Sequence, residues 1–189
     1  LRDAHSKNKD WFGTKIERTD EGRTILTTGK RKNVMSTPEY WLSYNDRIVL
    51  MDEAEVDMQL LSLNPQLLRD SDPIQIASDA CAVVNDEIAE AVSARPDRYQ
   101  GLGTIPIKDP EKSISELYRI MNDLHLNGVI IGSHIDHQNL NQDHLLEILK
   151  EAEKLGAFIL LHPLSTRANA IMGDYHLINL IGNPMETTT

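Results

Sequence analysis

The stretch Ala157-Phe158-Ile159-Leu160-Leu161-His162-Pro163 decides how this chain is read. Five small or apolar residues are too few for a helix and read as a strand buried on both faces; Pro163, with no N–H to give to a ladder, ends the pairing. In parallel α/β architectures chemistry gathers at the carboxyl ends of strands, where loops vary while the sheet holds side chains rigid. His162 falls at that end. From this feature alone two readings stand open: a metal ligand, since imidazole is the commonest one, and a strand-end histidine bonded to a backbone carbonyl.

Working outward, the same kind of unit recurs. Gln100-Gly-Leu-Gly-Thr-Ile105-Pro106 and Gly128-Val-Ile-Ile-Gly132-Ser-His134 are short apolar runs closed by turn or polar residues. Their starts and that of Ala157 lie about 29 residues apart, close to the length of one strand-plus-helix unit. Between them Ile114, Leu117, Tyr118 and Met121 keep helical spacing after an Asp109 cap and a first-turn Pro110. From Asp143, Leu145, Ile148, Leu149 and Ala152 mark one face of a second helix that Leu155-Gly156 ends. A longer helix is predicted from Pro73 to Ala94, stopped by Pro96, with Cys81 on its apolar face. Before it come a short helix across Asp46 to Glu53 and a strand over Val56–Ser62. Right-handed crossovers of this kind build either an open doubly wound sheet or a closed eight-unit barrel, and periodicity does not separate the two.

Composition bounds the function class. Hydrophobic residues at 40% and charged ones at 25% are ordinary for a globular domain. A net charge of -10 argues against nucleic acid, which needs a positive stripe, and Lys30-Arg31-Lys32 reads as a solvated loop. No stretch approaches the ~20 apolar residues of a membrane span. One cysteine forms no internal disulfide, and a cytoplasmic setting is the default expectation. Residues 1–45 read as an irregular segment in which Lys15–Arg18 and Thr24–Thr28 form a hairpin across Asp20-Glu-Gly22.

The order Arg98-Tyr-Gln-Gly-Leu-Gly-Thr-Ile-Pro106, Gly128-Val-Ile-Ile-Gly-Ser-His-Ile135, Leu140-Asn141, Glu151-Ala-Glu-Lys-Leu155, His162-Pro163 and Gly182-Asn-Pro-Met-Glu-Thr-Thr188 closely resembles the metal-dependent decarboxylases of the amidohydrolase superfamily, of the aminocarboxymuconate-semialdehyde and resorcylate types. The likeness runs from about Asp46 to the last residue. It implies a (β/α)8 TIM barrel with one divalent metal, zinc or manganese, at the carboxyl face of its strands. The family's ligands are a His-x-His pair after strand 1, a histidine ending strand 5 and an aspartate ending strand 8, with a catalytic histidine after strand 6. His162 matches the strand 5 ligand. The resemblance therefore implies part of a barrel, about strands 2 to 5 with their helices over residues 46–189, preceded by residues 1–45 as an insertion. It also implies an arginine on that insertion that holds a substrate carboxylate through paired N–H groups, for which Arg31 is the nearest match. Arg47 reads instead as a helix-surface charge.

Departures from the pattern set the remaining expectations. No His-x-His occurs; Asp3-Ala-His5-Ser-Lys7 puts a lysine where the second histidine belongs and is read as coincidence. A whole barrel takes about 250 residues, against 189 here, so strands 6 to 8 and their catalytic groups are expected outside this sequence and no catalytic acid is assigned. Half a barrel leaves strand edges open and invites another chain, a homodimer among the options. His134, ending the fourth strand, is a candidate substrate contact; His137 and His144 read as solvated, and His176 lies in a short helix expected over Asp174–Leu180. The expected function is non-oxidative decarboxylation of an aromatic or dienoic carboxylic acid, a small-molecule substrate. The alternatives are a hydrolase or hydratase of the same superfamily and a non-catalytic half-barrel.

Overall fold

The structure, a computed structural model, describes residues 10–21, 23–29, 31–35, 41–135, 138–164, 172 and 176–188. The segment Asp3–Lys7, His137 and the side chain of Arg31 lie outside the described residues. The chain divides into two compact units, residues 1–59 with 94–99 and residues 60–93 with 100–189.

In the first unit the strands β1 (Asp10–Trp11), β2 (Thr14–Arg18), β3 (Thr24–Thr28) and β4 (Arg31–Met35) form an antiparallel meander in that order. Ile16 stands opposite Leu26, and both are fully buried, because every second residue of a half-buried strand faces the same way. Thr14 and Thr28 share a hydroxyl bond of 2.6 Å across the same pair of strands. Helix α1 (Tyr44–Glu53) starts at Ser43, whose hydroxyl accepts from the Asp46 N–H at 3.1 Å, and it buries Ile48 and Met51.

The strand expected over Val56–Ser62 is shorter, β5 (Gln59–Leu61). The Arg98 guanidinium takes the carbonyls of Val56 and Asp57 at 3.0 and 2.8 Å, so those residues are bonded to a side chain instead of a ladder. Helix α2 (Ile74–Ala94) follows and buries Ala77, Ala80, Cys81, Val84, Asn85, Ile88 and Ala91 along one stripe.

Strand β6 (Tyr99–Gly101) pairs with β5, and a parallel bridge from Gly103 to Val129 carries the sheet on to β7 (Gly128–Gly132). The ladder stops short of the expected Ile105 for a physical reason. At Thr104 the backbone N–H donates to Asn85 Oδ1 at 2.8 Å and the carbonyl accepts from Asn85 Nδ2 at 2.9 Å, so a side chain from α2 replaces the next strand partner. Asn85 is fully buried and also donates to Glu116 Oε1 at 2.6 Å. Asn85→Ala leaves both Thr104 groups unsatisfied in the interior, and a loss of about 2–4 kcal/mol is expected, read as a lower urea midpoint at unchanged slope.

Helix α3 (Pro110–Tyr118) has the Asp109 carboxylate as its cap, accepting from the Lys112 N–H at 3.0 Å. Beyond β7, His134–Ile135 (β8) and Gln138–Asn139 (β9) form a two-rung antiparallel arm. Helix α4 (Asp143–Leu155) ends at Gly156, whose φ of 64° is the left-handed cap that glycine takes without a Cβ penalty. Strand β10 (Phe158–His162) then lies parallel to β7, from Phe158 opposite Gly128 to His162 opposite Gly132. Ile178–Gly182 winds as a wide turn into helix α5 (Asn183–Thr188), leaving Leu180 and Met185 exposed.

Val129, Ile131 and Ile159 pack with Leu117 of α3 and with Leu145 and Ile148 of α4 in one apolar layer. Side chains alternate along a strand, so Ile130, Gly132, Leu160 and His162 face away from those helices. Strands that neighbour one another in chain order, each followed by a helix, make a TIM-barrel-like α/β arrangement.

Candidate metal and substrate site

His162 is the last residue of β10 and stands half-buried on the sheet face away from α3 and α4. Its backbone is pinned, because the carbonyl accepts from the Ser133 N–H at 2.9 Å. Its ring is pinned as well. Nδ1 lies 2.7 Å from the Pro163 carbonyl oxygen, which only accepts, so the proton of the neutral imidazole sits on Nδ1 and Nε2 keeps its lone pair. That is the tautomer and the kind of backbone orientation that metal-bound histidines use. Of the two readings left open by the sequence, the structure shows the carbonyl-bonded one, and because that bond uses Nδ1 it leaves Nε2 to the metal-ligand reading.

At Gly132, the register partner of His162, the space a side chain would need is already taken by Leu164 and Asp70. A Cβ there would lie 2.5 Å from Leu164 Cδ1 and 2.9 Å from Asp70 Oδ2. Leu164 is itself tied to the rim, donating its N–H to Ser133 Oγ at 3.2 Å. The half-buried Asp70 comes from the loop between β5 and α2, which opens at the carboxyl end of β5. That loop is shaped by a turn over Pro65–Leu67 capped by Asn64, and by an Arg69–Asp72 ion pair of 3.1 Å with the guanidinium buried.

The other candidates fall as follows. His134 is buried on β8, opposite Asn139, two residues past the end of β7, so it does not end that strand as the sequence predicts. Arg31 opens β4 opposite Thr28, in the other compact unit. Cys81 is buried in α2, and burial, then the charges of Glu116 and Asp70, push its thiol up to about 12. It is a packing residue with no accessible thiolate at neutral pH. His144 is half-buried on the first turn of α4 and His176 is exposed, with a positive φ of 59°. Among the described residues no three histidine, cysteine or acidic side chains converge to hold a metal. His162 thus fits one position of a ligand set, and the described residues do not complete the set.

Residues 38–188 match the amidohydrolase family profile. The chain belongs to that family. As an amidohydrolase-family chain it is 39% identical over 141 residues to the 2-amino-3-carboxymuconate-6-semialdehyde decarboxylase of Dictyostelium discoideum, an alignment covering 75% of this chain and 39% of that protein. It is 33% identical over 86 residues to the gamma-resorcylate decarboxylase of Rhodococcus jostii, covering 46% of this chain and 26% of that protein. Among solved structures, the 5-carboxyvanillate decarboxylase LigW2 of Novosphingobium aromaticivorans, with bound manganese and 3-methoxy-4-hydroxy-5-nitrobenzoic acid, superposes with a TM-score of 0.73 at 25% identity over 79% of this chain and 44% of that one. The chain spans less than half the length of each of these relatives.

Among the described residues no helix is long and apolar enough to cross a membrane.

Proposed function

We propose that the whole protein carrying this chain is a divalent-metal-dependent decarboxylase that releases carbon dioxide from a small aromatic or dienoic carboxylic acid. The observation that carries this reading is His162, at a carboxyl-terminal strand end on the sheet face away from α3 and α4, with Nδ1 bonded to the Pro163 carbonyl. Likeness to the decarboxylases above supports the reaction class, and the manganese of the LigW2 structure supports manganese, or zinc, as the metal. A bound divalent ion would supply Lewis-acid polarisation of the substrate's oxygens. His162 would hold it, with the ring aimed by Pro163 and the backbone by Ser133. His134 is proposed as a substrate contact from the segment after β7, and Arg31, on the family resemblance, as the partner of the substrate carboxylate.

The finer reading of the fold is that residues 46–189 form about strands 2 to 5 of the barrel and residues 1–45 an insertion. It is supported by the contrast between β7, buried along its whole length, and β10, whose Phe158 is 54% exposed and whose other residues are half-buried. An apolar strand of that kind calls for further sheet, from the rest of the chain or from a second copy in a homodimer. A single buried cysteine suits a reducing, cytoplasmic setting.

The reading is tested with the whole, manganese-loaded protein and a panel containing 2-amino-3-carboxymuconate 6-semialdehyde and 2,6-dihydroxybenzoate. Trapped carbon dioxide at one-to-one stoichiometry with the decarboxylated product is expected. Water addition or hydrolysis across the panel without carbon dioxide would reassign the protein to the superfamily's hydrolase and hydratase reactions.

A further inference from the structure

We propose that Ser133 is a positioning residue of the candidate metal site, whose hydroxyl sets the orientation and the tautomer of the His162 imidazole through the peptide that joins Pro163 to Leu164. What that ring does for the reaction rests on the metal-ligand reading above; the coupling of Ser133 to the ring rests on geometry. The carbonyl that takes His162 Nδ1 at 2.7 Å belongs to Pro163, and the N–H that donates to Ser133 Oγ at 3.2 Å belongs to Leu164. Both groups are ends of one peptide unit. A peptide unit is planar, so holding its N–H also holds its carbonyl.

That peptide lies just past the ladder, because the β7–β10 register ends at His162 opposite Gly132. The proline ring fixes φ of Pro163 at about −65°, which leaves ψ as the soft angle that decides where the carbonyl points. The contacts that settle it come from the end of β7. The Ser133 N–H holds the peptide before the proline, by its 2.9 Å bond to the His162 carbonyl, and Ser133 Oγ holds the peptide after it. The Leu164 side chain is seated at Gly132, where a Cβ would fall 2.5 Å from its Cδ1. Ser133 is 9% exposed, so little water reaches the Leu164 N–H in place of the hydroxyl. With the carbonyl aimed at Nδ1, the proton stays there and the lone pair stays on Nε2. Without the hydroxyl the peptide regains rotation about ψ, Nδ1 loses its fixed acceptor, and both tautomers become populated.

The test uses the whole protein with isotopically labelled histidine nitrogens, first free of metal and at alkaline pH, where imidazole is neutral. Long-range proton–nitrogen NMR spectra tell the protonated ring nitrogen from the bare one. The His162 signals are those lost in His162→Ala, and the His144 signals, lost in His144→Ala, serve as the internal reference. Wild type is expected to show the Nδ1–H form of His162. Ser133→Ala removes the hydroxyl and adds no bulk; it is expected to give a mixture of the two tautomers at His162 with the His144 signals unmoved. Ser133→Thr keeps a hydroxyl on Cβ and is expected to restore the wild-type form. Manganese affinity, measured next, should fall about 10-fold in Ser133→Ala, the low end of what loss of an outer partner of a metal ligand costs, and stay within ~3-fold of wild type in Ser133→Thr. An unchanged Nδ1–H signal in Ser133→Ala, a change that His144 shares, or a change that Ser133→Thr does not restore would each overturn the inference. The expected tautomer pattern in a protein that takes up no manganese keeps Ser133 in its role and removes the metal-ligand reading of His162.

Discussion

His162→Ala, made in the whole protein, is expected to lower manganese affinity by at least ~100-fold and to take carbon dioxide release down with it. The size follows from what the residue supplies. Loss of an outer partner of a metal ligand already costs 10–100-fold in affinity, so loss of a ligand costs more. The ring is also pre-aimed: the 2.7 Å bond from Nδ1 to the Pro163 carbonyl and the 2.9 Å bond from the Ser133 N–H to the His162 carbonyl mean that little orientational freedom is lost on binding. Manganese titration followed by metal analysis after gel filtration reads the effect. His144→Ala, on the first turn of α4, is the matched control and should bind manganese as the wild type does. Because the described residues supply His162 without a converging third ligand, the isolated 189-residue chain should hold metal weakly even before mutation. Undiminished metal affinity in His162→Ala would remove the residue from the site.

The parts of this fold that were legible in the sequence are those fixed by local chemistry. Pro163 ends β10 because proline cannot extend a ladder, Gly156 ends α4 because glycine takes the left-handed cap, and Asp109-Pro110 starts α3 because a carboxylate and a ring suit a helix's first turn. The parts that were not legible depend on side chains arriving from a distance. Strand β6 is cut short by Asn85, which sits in another helix and imitates a strand's N–H and carbonyl at Thr104. Strand β5 is cut short by Arg98, which takes two carbonyls some forty residues earlier in the chain. No period or composition encodes such contacts. The candidate site divides in the same way: His162 announces itself by its position after an apolar run, whereas the close packing of Gly132 against Leu164 and Asp70 joins segments far apart in the chain.

Gly128→Ala should be the most destabilising single-methyl change in the sheet. Gly128 has a φ of 151°, and a Cβ built there falls 1.9 Å from the Phe158 carbonyl oxygen, 2.6 Å from its nitrogen and 2.7 Å from its carbonyl carbon. All three are backbone atoms of the strand paired with it, so no rotamer change relieves the overlap. Either β10 moves away from β7 at its first rung or the register slips, and a slip by one residue would turn His162 to the helix side. Overpacking of this kind costs about 3 kcal/mol or more, which for a chain of this size lowers Tm by about 6–12 °C. Gly156→Ala calibrates the result, since that glycine has a φ of 64° but nothing within 4 Å of its Cβ position, and only the conformational cost of about 1 kcal/mol is expected. Thermal unfolding of the two variants beside wild type therefore separates steric from conformational strain. Equal Tm losses at positions 128 and 156 would mean that β10 is not held against β7 at this rung, and with it would go the argument that His162 and Gly132 share a face.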